Sequence, residues 1–146
     1  MAELSCIPKL LKQTIILGWI AEDLKLMLLT NLHVPNAETQ QYVSDVVENE
    51  VIDSNDVYTA GGVVLSNLAA LQDPNSPANY ALDANDVTIG PGTTLTYRFG
   101  IIYRDMGTGN HAVNPIKAQV DFLEDQIIVN GTTTITWNEL GIIYIS

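Results

Sequence analysis

From residue 63 to its carboxyl end the chain is a succession of short runs rich in Val, Ile, Thr, Tyr and Phe. They fall at 63–69, 81–89, 95–103, 117–122, 126–129, 132–137 and 142–145. Between them lies turn chemistry: Asp73-Pro74-Asn75-Ser76-Pro77, Gly90-Pro91-Gly92 and Gly107-Thr108-Gly109-Asn110. β-branched and aromatic side chains fit a pleated, half-buried surface, and glycine, proline and asparagine supply the backbone angles that end it. Many short strands without intervening helical patterns imply packed antiparallel sheets, not βα units. The predicted fold is therefore mostly β: an antiparallel β-sandwich or jelly-roll-like single domain over 1–146, with a short helical segment. At 146 residues the chain is long enough to bury a core of its own.

Two segments carry the core. LKLMLL, 24–29, is nearly all apolar and too short for a stable helix, which fits a strand buried on both faces. In TYRFGIIYR the alternation places Tyr97, Phe99, Ile101 and Tyr103 on one face, the expected core face. IIVNGTTTITW, 127–137, reads as a hairpin closed by Asn130-Gly131, since that pair suits a two-residue type I′ turn. Near the amino end, KLLKQTIILGWI places Leu10, Leu11, Ile15 and Trp19 close to helical spacing, although Ile15-Ile16 and Gly18 also suit a strand. Asn36 is placed to cap a short turn, with Thr39 where a capping box would carry Glu or Gln.

Charge narrows the function. The chain carries 17 acidic against 6 basic residues, and no Lys or Arg lies between Lys25 and Arg98. Binding to nucleic acid depends on Lys and Arg displacing counterions from phosphates, so direct nucleic-acid binding is not expected. The apolar stretch 15–20 is too short to span a bilayer and runs into Glu22-Asp23, where a secretory leader would carry small residues. No membrane association is expected, and synthesis in a cytoplasm is. A single cysteine, Cys6, excludes an intrachain disulfide and reads as a buried or neutral thiol.

Tests for chemistry return little. Ala60-Gly61-Gly62 lacks the Lys and the following helix of a phosphate loop, so the glycine pair reads as a turn or bulge entering a strand. His33 and His111 lie apart in loop-like sequence, without an HExxH spacing or a cysteine cluster, and read as surface or capping residues. No Ser occupies a GxSxG elbow. Asp53-Ser54-Asn55-Asp56 and Asp83-Ala84-Asn85-Asp86 crowd hard oxygen ligands, yet neither continues as an EF-hand loop, and Asx-turns account for both. Catalytic, cofactor and metal residues are therefore not assigned.

The order of segments adds a further expectation. LKLMLLTN (24–31), TQQYVSDVVENEV (39–51), YTAGGVVLSN (58–67), ALDANDVTI (81–89), FGIIYRDMGTG (99–109), VDFLEDQ (120–126) and NGTTTITWNELGII (130–143) follow one another along the chain. In this order they resemble a family of small tailed-bacteriophage virion structural proteins. The resemblance implies a non-enzymatic β-rich module of the virion, assembled in the host cytoplasm. Its expected role is a capsid decoration or cement protein that binds the major capsid protein as an oligomer, with a trimer favoured. A head-tail connector, a tail or baseplate component, and a receptor- or carbohydrate-binding module built on Trp19, Tyr58, Tyr97 and Trp137 are the alternatives. The chain departs from the family in its apolar Ile127-Ile128-Val129 and in its apolar arm at 1–20. Leu10, Leu11, Trp19, Ile127, Ile128 and Val129 are accordingly the expected protein-interface residues.

Overall fold

The computed structural model describes residues 8–145; Cys6 lies outside them. The fold is mostly β, with two antiparallel sheets and one short α-helix. The chain groups into two compact units. One comprises Asp23–Leu65 and Asp86–Ile135; the other comprises the helix with Ser66–Asn85 and the segment from Thr136 on.

The larger unit is built around β1, Leu24–Leu29. Leu24, Leu26, Met27, Leu28 and Leu29 are all buried, so both faces of the strand are covered, as its unbroken apolar run implies. β1 lies between the two-residue β2, Val63–Val64, and the long β5, Val87–Arg104, with β6, Ile116–Ile135, beyond β5. On β5, Tyr97, Ile101 and Tyr103 are buried as the alternation requires, and Phe99 is half-buried. Ile102 on the opposite face is buried too. Met27, Leu29, Ile101 and Tyr103 pack with Val43 and Val46 in one cluster. Two 3-10 turns, Val43–Asp45 and Val47–Asn49, carry those valines inward. Asn36 caps a turn as expected, accepting from the Glu38 and Thr39 amides at 3.0 and 3.3 Å. Its reciprocal partner is Gln40, whose Oε1 accepts the Asn36 amide at 2.8 Å.

Two turn expectations fail, for one reason. Asn130-Gly131 does not close a hairpin: β6 runs straight through it, paired with β5 on either side at Leu95↔Ile128 and Thr93↔Gly131. Between those pairs Thr94 stands opposite both Val129 and Asn130, which makes a bulge. Asn130 takes the left-handed conformation (φ 46°) while Gly131 does not, although a type I′ turn needs both. Gly90-Pro91-Gly92 is likewise a bulge inside β5, between Ile89↔Thr133 and Thr93↔Gly131. Local turn preference is overridden because each strand has a long partner able to accept its ladder. The reversal falls at the 105–115 connection, where Gly107 and Gly109 take positive φ.

The smaller unit holds the sheet β3-β4-β7, formed by Ala69–Gln72, Tyr80–Asp83 and Ile143–Ile145. Two runs that read as single strands, 63–69 and 81–89, are each split between the units: Val63–Val64 and Val87 onward pair in the larger, Ala69–Gln72 and Tyr80–Asp83 in the smaller. The amino-terminal segment is α-helical, α1, Lys9–Ile20. α1 packs on β3 and β4 with Ile16 fully buried, and Lys12 Nζ donates to Asn79 Oδ1 at 2.8 Å. Among the described residues no helix is long and apolar enough to cross a membrane.

Candidate functional site

The glycine pair is the first place to look for chemistry. The segment after β1's partner loop returns at Tyr58, whose buried hydroxyl donates to Glu50 Oε1 at 2.9 Å and accepts the Leu28 amide at 3.0 Å. The same Glu50 oxygen accepts the Gly61 amide at 2.7 Å, and the Tyr103 hydroxyl donates to the Gly61 carbonyl. A phosphate would need that amide free and would meet the carboxylate that already holds it. The glycines therefore form a turn into β2, with Gly61 and Gly62 at φ 95° and 91°. Burial, reinforced by Glu50, pushes the Tyr58 hydroxyl far above its ordinary range. Tyr103 is pushed up to about 12 by burial, with Asp105 and Glu50 adding to it. Neither phenol is poised as a base.

Asp53 shows what the aspartate-rich loop does. Its buried carboxylate accepts four amides: Asn55 and Thr94 on Oδ1 at 3.0 and 2.9 Å, Val57 and Tyr58 on Oδ2 at 3.0 and 2.8 Å. Converging N–H donors select an anion and leave no lone pair aimed at a cation. Asn55 extends the clasp, donating to the Gly92 carbonyl at 2.7 Å. The loop is thus an Asx-turn tied onto β5, with no calcium chemistry in its geometry. Among the described residues no group of three His, Cys, Asp or Glu converges as a metal site would require.

The Asp53 clasp makes a pH prediction. Burial pushes the carboxyl up, but the amides of Thr94, Tyr58, Asn55 and Val57 outweigh it and hold the group below its ordinary 3.8. A depressed folded-state value contributes stability above the unfolded value and loses it as pH falls through the folded one. Asp53→Asn should therefore lower Tm clearly at pH 7, with the gap to the native chain closing as pH drops below about 4. Thermal melts across pH 7 to 3 read this, and a gap that stays constant would contradict it.

Two ion pairs lie elsewhere, Lys25 with Asp105 and Arg98 with Asp121. A cleft of 340 Å³ is lined by Lys25, Tyr103, Asp105 and His111, among others. In it Lys25 Nζ lies 2.8 Å from Asp105 Oδ2. The hydrogen bond from Lys25 and the Gly107 amide hold Asp105 below the usual carboxylate range. The reading of His33 as a surface residue is corrected: it is buried, edge-on to Phe99 with centroids 5.5 Å apart, and its Nε2 lies 3.2 Å from Gln119 Oε1. The chain leaving β1 carries the ring under this segment, where Phe99 offers an apolar wall. His111 opens a 3-10 turn, His111–Val113, and is half-buried.

Several apolar side chains stay exposed. On β6, Ile127 and Val129 are 71% and 75% exposed. Ile128 between them is half-buried, because it stands opposite the buried Leu95 and so shares its inward face. Thr96 lies directly across from Ile127 and is exposed, and further along the same strands Thr88 and Thr134 pair with Oγ1 atoms 3.2 Å apart. This stretch is uncharged in a chain of net charge −11. On α1, Leu10 and Leu11 are 73% and 50% exposed, while Trp19 is half-buried. The expected interface residues thus fall into two groups, one on each unit. Leu17, also exposed, was missed, although its spacing of seven from Leu10 was the available signal. Of the aromatic residues weighed as a platform, Tyr58 and Tyr97 are buried, and Trp19 and Trp137 are half-buried, with Trp137 Nε1 donating to the Asn85 carbonyl at 3.0 Å. Comparison with known protein families, with curated proteins and with solved structures finds no match for this chain.

Proposed function

We propose that this chain is a non-enzymatic structural protein of a tailed-phage virion that decorates the assembled head, binding the major capsid protein through the β5–β6 face. The observation that carries this reading is the exposure of Ile127 and Val129 side by side on an uncharged strand surface. Leaving two β-branched aliphatic side chains in water is unfavourable by roughly 1.5–3 kcal/mol each relative to burying them, which a docked partner recovers. The resemblance of the segment order to that of small phage virion proteins supports the same reading. So does the use of Glu50, Asp53 and Asp105 as internal clasps, which assigns those carboxylates to holding loops.

The action is mechanical. Each contact is weak, but contacts repeated over a shell add by avidity and resist the outward pressure of packaged DNA. Quantitative mass spectrometry of purified particles tests the placement. Hundreds of copies per virion are expected for head decoration. A copy number of a few would move the chain to a connector or tail component, and absence from particles would remove the virion reading altogether.

A further inference from the structure

The three strands of the smaller unit leave a hollow on one face of their sheet. Leu71 pairs with Ala81 and Ala81 with Tyr144, so the three side chains stand in one row across β3, β4 and β7. Alanine in the middle of that row is short where its neighbours are long, and the gap over it is a pocket of 200 Å³. Asp73, just past β3, and Glu139 and Leu140, from the turn before β7, complete its wall. That turn is held in place: the Gly141 amide donates to the Asn138 carbonyl at 2.8 Å and the Leu140 amide to Asn138 Oδ1 at 2.9 Å. A volume of 200 Å³ falls below the roughly 300–1,000 Å³ of sites for drug-sized molecules, which leaves room for one side chain.

The charge in the pocket is unbalanced. Asp73 is 9% exposed, and its carboxylate is held by neutral donors: the Tyr144 hydroxyl on Oδ2 at 2.6 Å, the Asn75 amide on Oδ1 at 2.8 Å, and the Ser76 amide. These donors, the Tyr144 hydroxyl foremost, keep the group below its ordinary 3.8, so it is an anion at neutral pH. Tyr144 is fixed in turn by Asn79, which donates to the phenol oxygen at 2.9 Å and accepts from the buried Lys12 at 2.8 Å. Asn79 and Tyr144 thus stand between the Lys12 ammonium and Asp73, and among the described residues no cation pairs with that carboxylate. A nearly buried charge without a counter-charge favours any ligand that brings one.

We infer that this pocket takes a primary ammonium on an alkyl stem, presented as the lysine side chain of a partner protein. Leu71, Ala81 and Leu140 offer the methylenes an apolar lining, while Asp73 and Glu139 meet the charge. Lysine carries both parts on one unbranched chain. A carboxylate has about four acceptor sites, and the Tyr144, Asn75 and Ser76 donors occupy all but one of those on Asp73. The vacant one suits a single ammonium N–H and excludes the parallel fork by which arginine grips a carboxylate. The net charge of −11 draws cations toward the chain. Leu140 and Tyr144, 41% and 40% exposed, give apolar surface to the residues flanking such a lysine. The inference concerns the smaller unit and does not depend on the virion reading.

Titration of the isotope-labelled full chain with Nα-acetyl-lysine methylamide, followed by backbone amide chemical shifts, tests this. Saturable shifts at Leu71, Ala81, Leu140 and Tyr144 are expected, with a Kd on the order of millimolar, as one side chain without its flanking contacts supplies. The norleucine analogue, which keeps the alkyl stem and lacks the charge, should bind at least about tenfold more weakly. Glu139→Gln, at an exposed position, should weaken lysine binding by about threefold. Asp73→Asn should weaken it by about tenfold or more, with thermal melts establishing that the variant is folded; where it is not, Glu139→Gln decides. Equal binding of the norleucine analogue would overturn the inference, and so would native affinity in Glu139→Gln. Free butylammonium bound more tightly than the capped lysine would overturn the assignment to a protein partner.

Discussion

Gly62→Ala is expected to remove most of the stability of the larger unit, lowering Tm by more than about 10 °C or preventing soluble expression. Two effects add at this position. The backbone is at φ 91°, and a Cβ would stand 2.2 Å from the Leu26 carbonyl oxygen and 2.9 Å from the Met27 Cα. Those atoms belong to β1, the strand that organises the core, and cannot move without disturbing the Leu24–Leu29 pairing with β5. Backbone strain of this kind costs about 1–3 kcal/mol, and the collision comes on top, against a total stability of order 5–15 kcal/mol. Gly61 is the control. It has a similar φ of 95°, but the nearest atom to an added Cβ is the Tyr103 hydroxyl at 3.8 Å. Gly61→Ala should therefore carry the strain alone, and equal melting temperatures for the two variants would contradict the account of β1 as a fixed wall.

The second large effect concerns binding. Ile127→Glu combined with Val129→Glu should leave Tm within a few degrees of the native chain, since exposed substitutions usually stay within about 0.5 kcal/mol. Affinity for particles lacking the protein should nevertheless fall by about a hundredfold or more, as expected when the apolar centre of an interface is replaced by buried charge. Ile128→Glu should behave in the opposite way, because its side chain points with Leu95 toward the interior. It should lower Tm, and its effect on binding should follow the loss of folded protein. Thermal melts alongside a particle co-sedimentation assay separate the two behaviours.

These two predictions draw on sequence signals of unequal quality. The burial of β1 on both faces was legible because six residues with a nearly unbroken apolar pattern leave no polar face to expose. The alternation on Tyr97, Phe99, Ile101 and Tyr103 was legible for the complementary reason, a clear period of two. The Asn130-Gly131 hairpin was misread because turn preference is local, whereas the decision between reversal and bulge belongs to the partner strand. Nothing near residue 130 reveals that Leu95 and Thr93 wait opposite. The division of 63–69 and 81–89 between units was hidden likewise, since a change of sheet leaves no mark on composition. As for the candidate surfaces, exposed isoleucine and buried isoleucine are the same letter. Only the pairing of Ile128 with Leu95 shows which of the three residues 127–129 turn outward, and only the structure shows that Ile16 of α1 is covered while Leu10, Leu11 and Leu17 are not.

The Asp53 clasp and the Glu50 hold on Gly61 bear on function through what they consume. Asp53 is occupied by amides of its own loop and by the Thr94 amide of β5, and Glu50 by the Gly61 amide. Exposed apolar side chains remain on β6, at Ile127 and Val129, and on α1, at Leu10, Leu11 and Leu17, which directs attention to partners of protein chemistry. On the proposed reading the β6 surface is the one that meets the capsid.

The central claim is that the chain strengthens an assembled head, and heat challenge of particles tests it most directly. Particles lacking the protein should release their DNA at a lower temperature than native ones, and adding back the purified chain should restore the native value while the Ile127→Glu, Val129→Glu variant should not. Particles that release DNA at the same temperature with and without the chain would contradict the account.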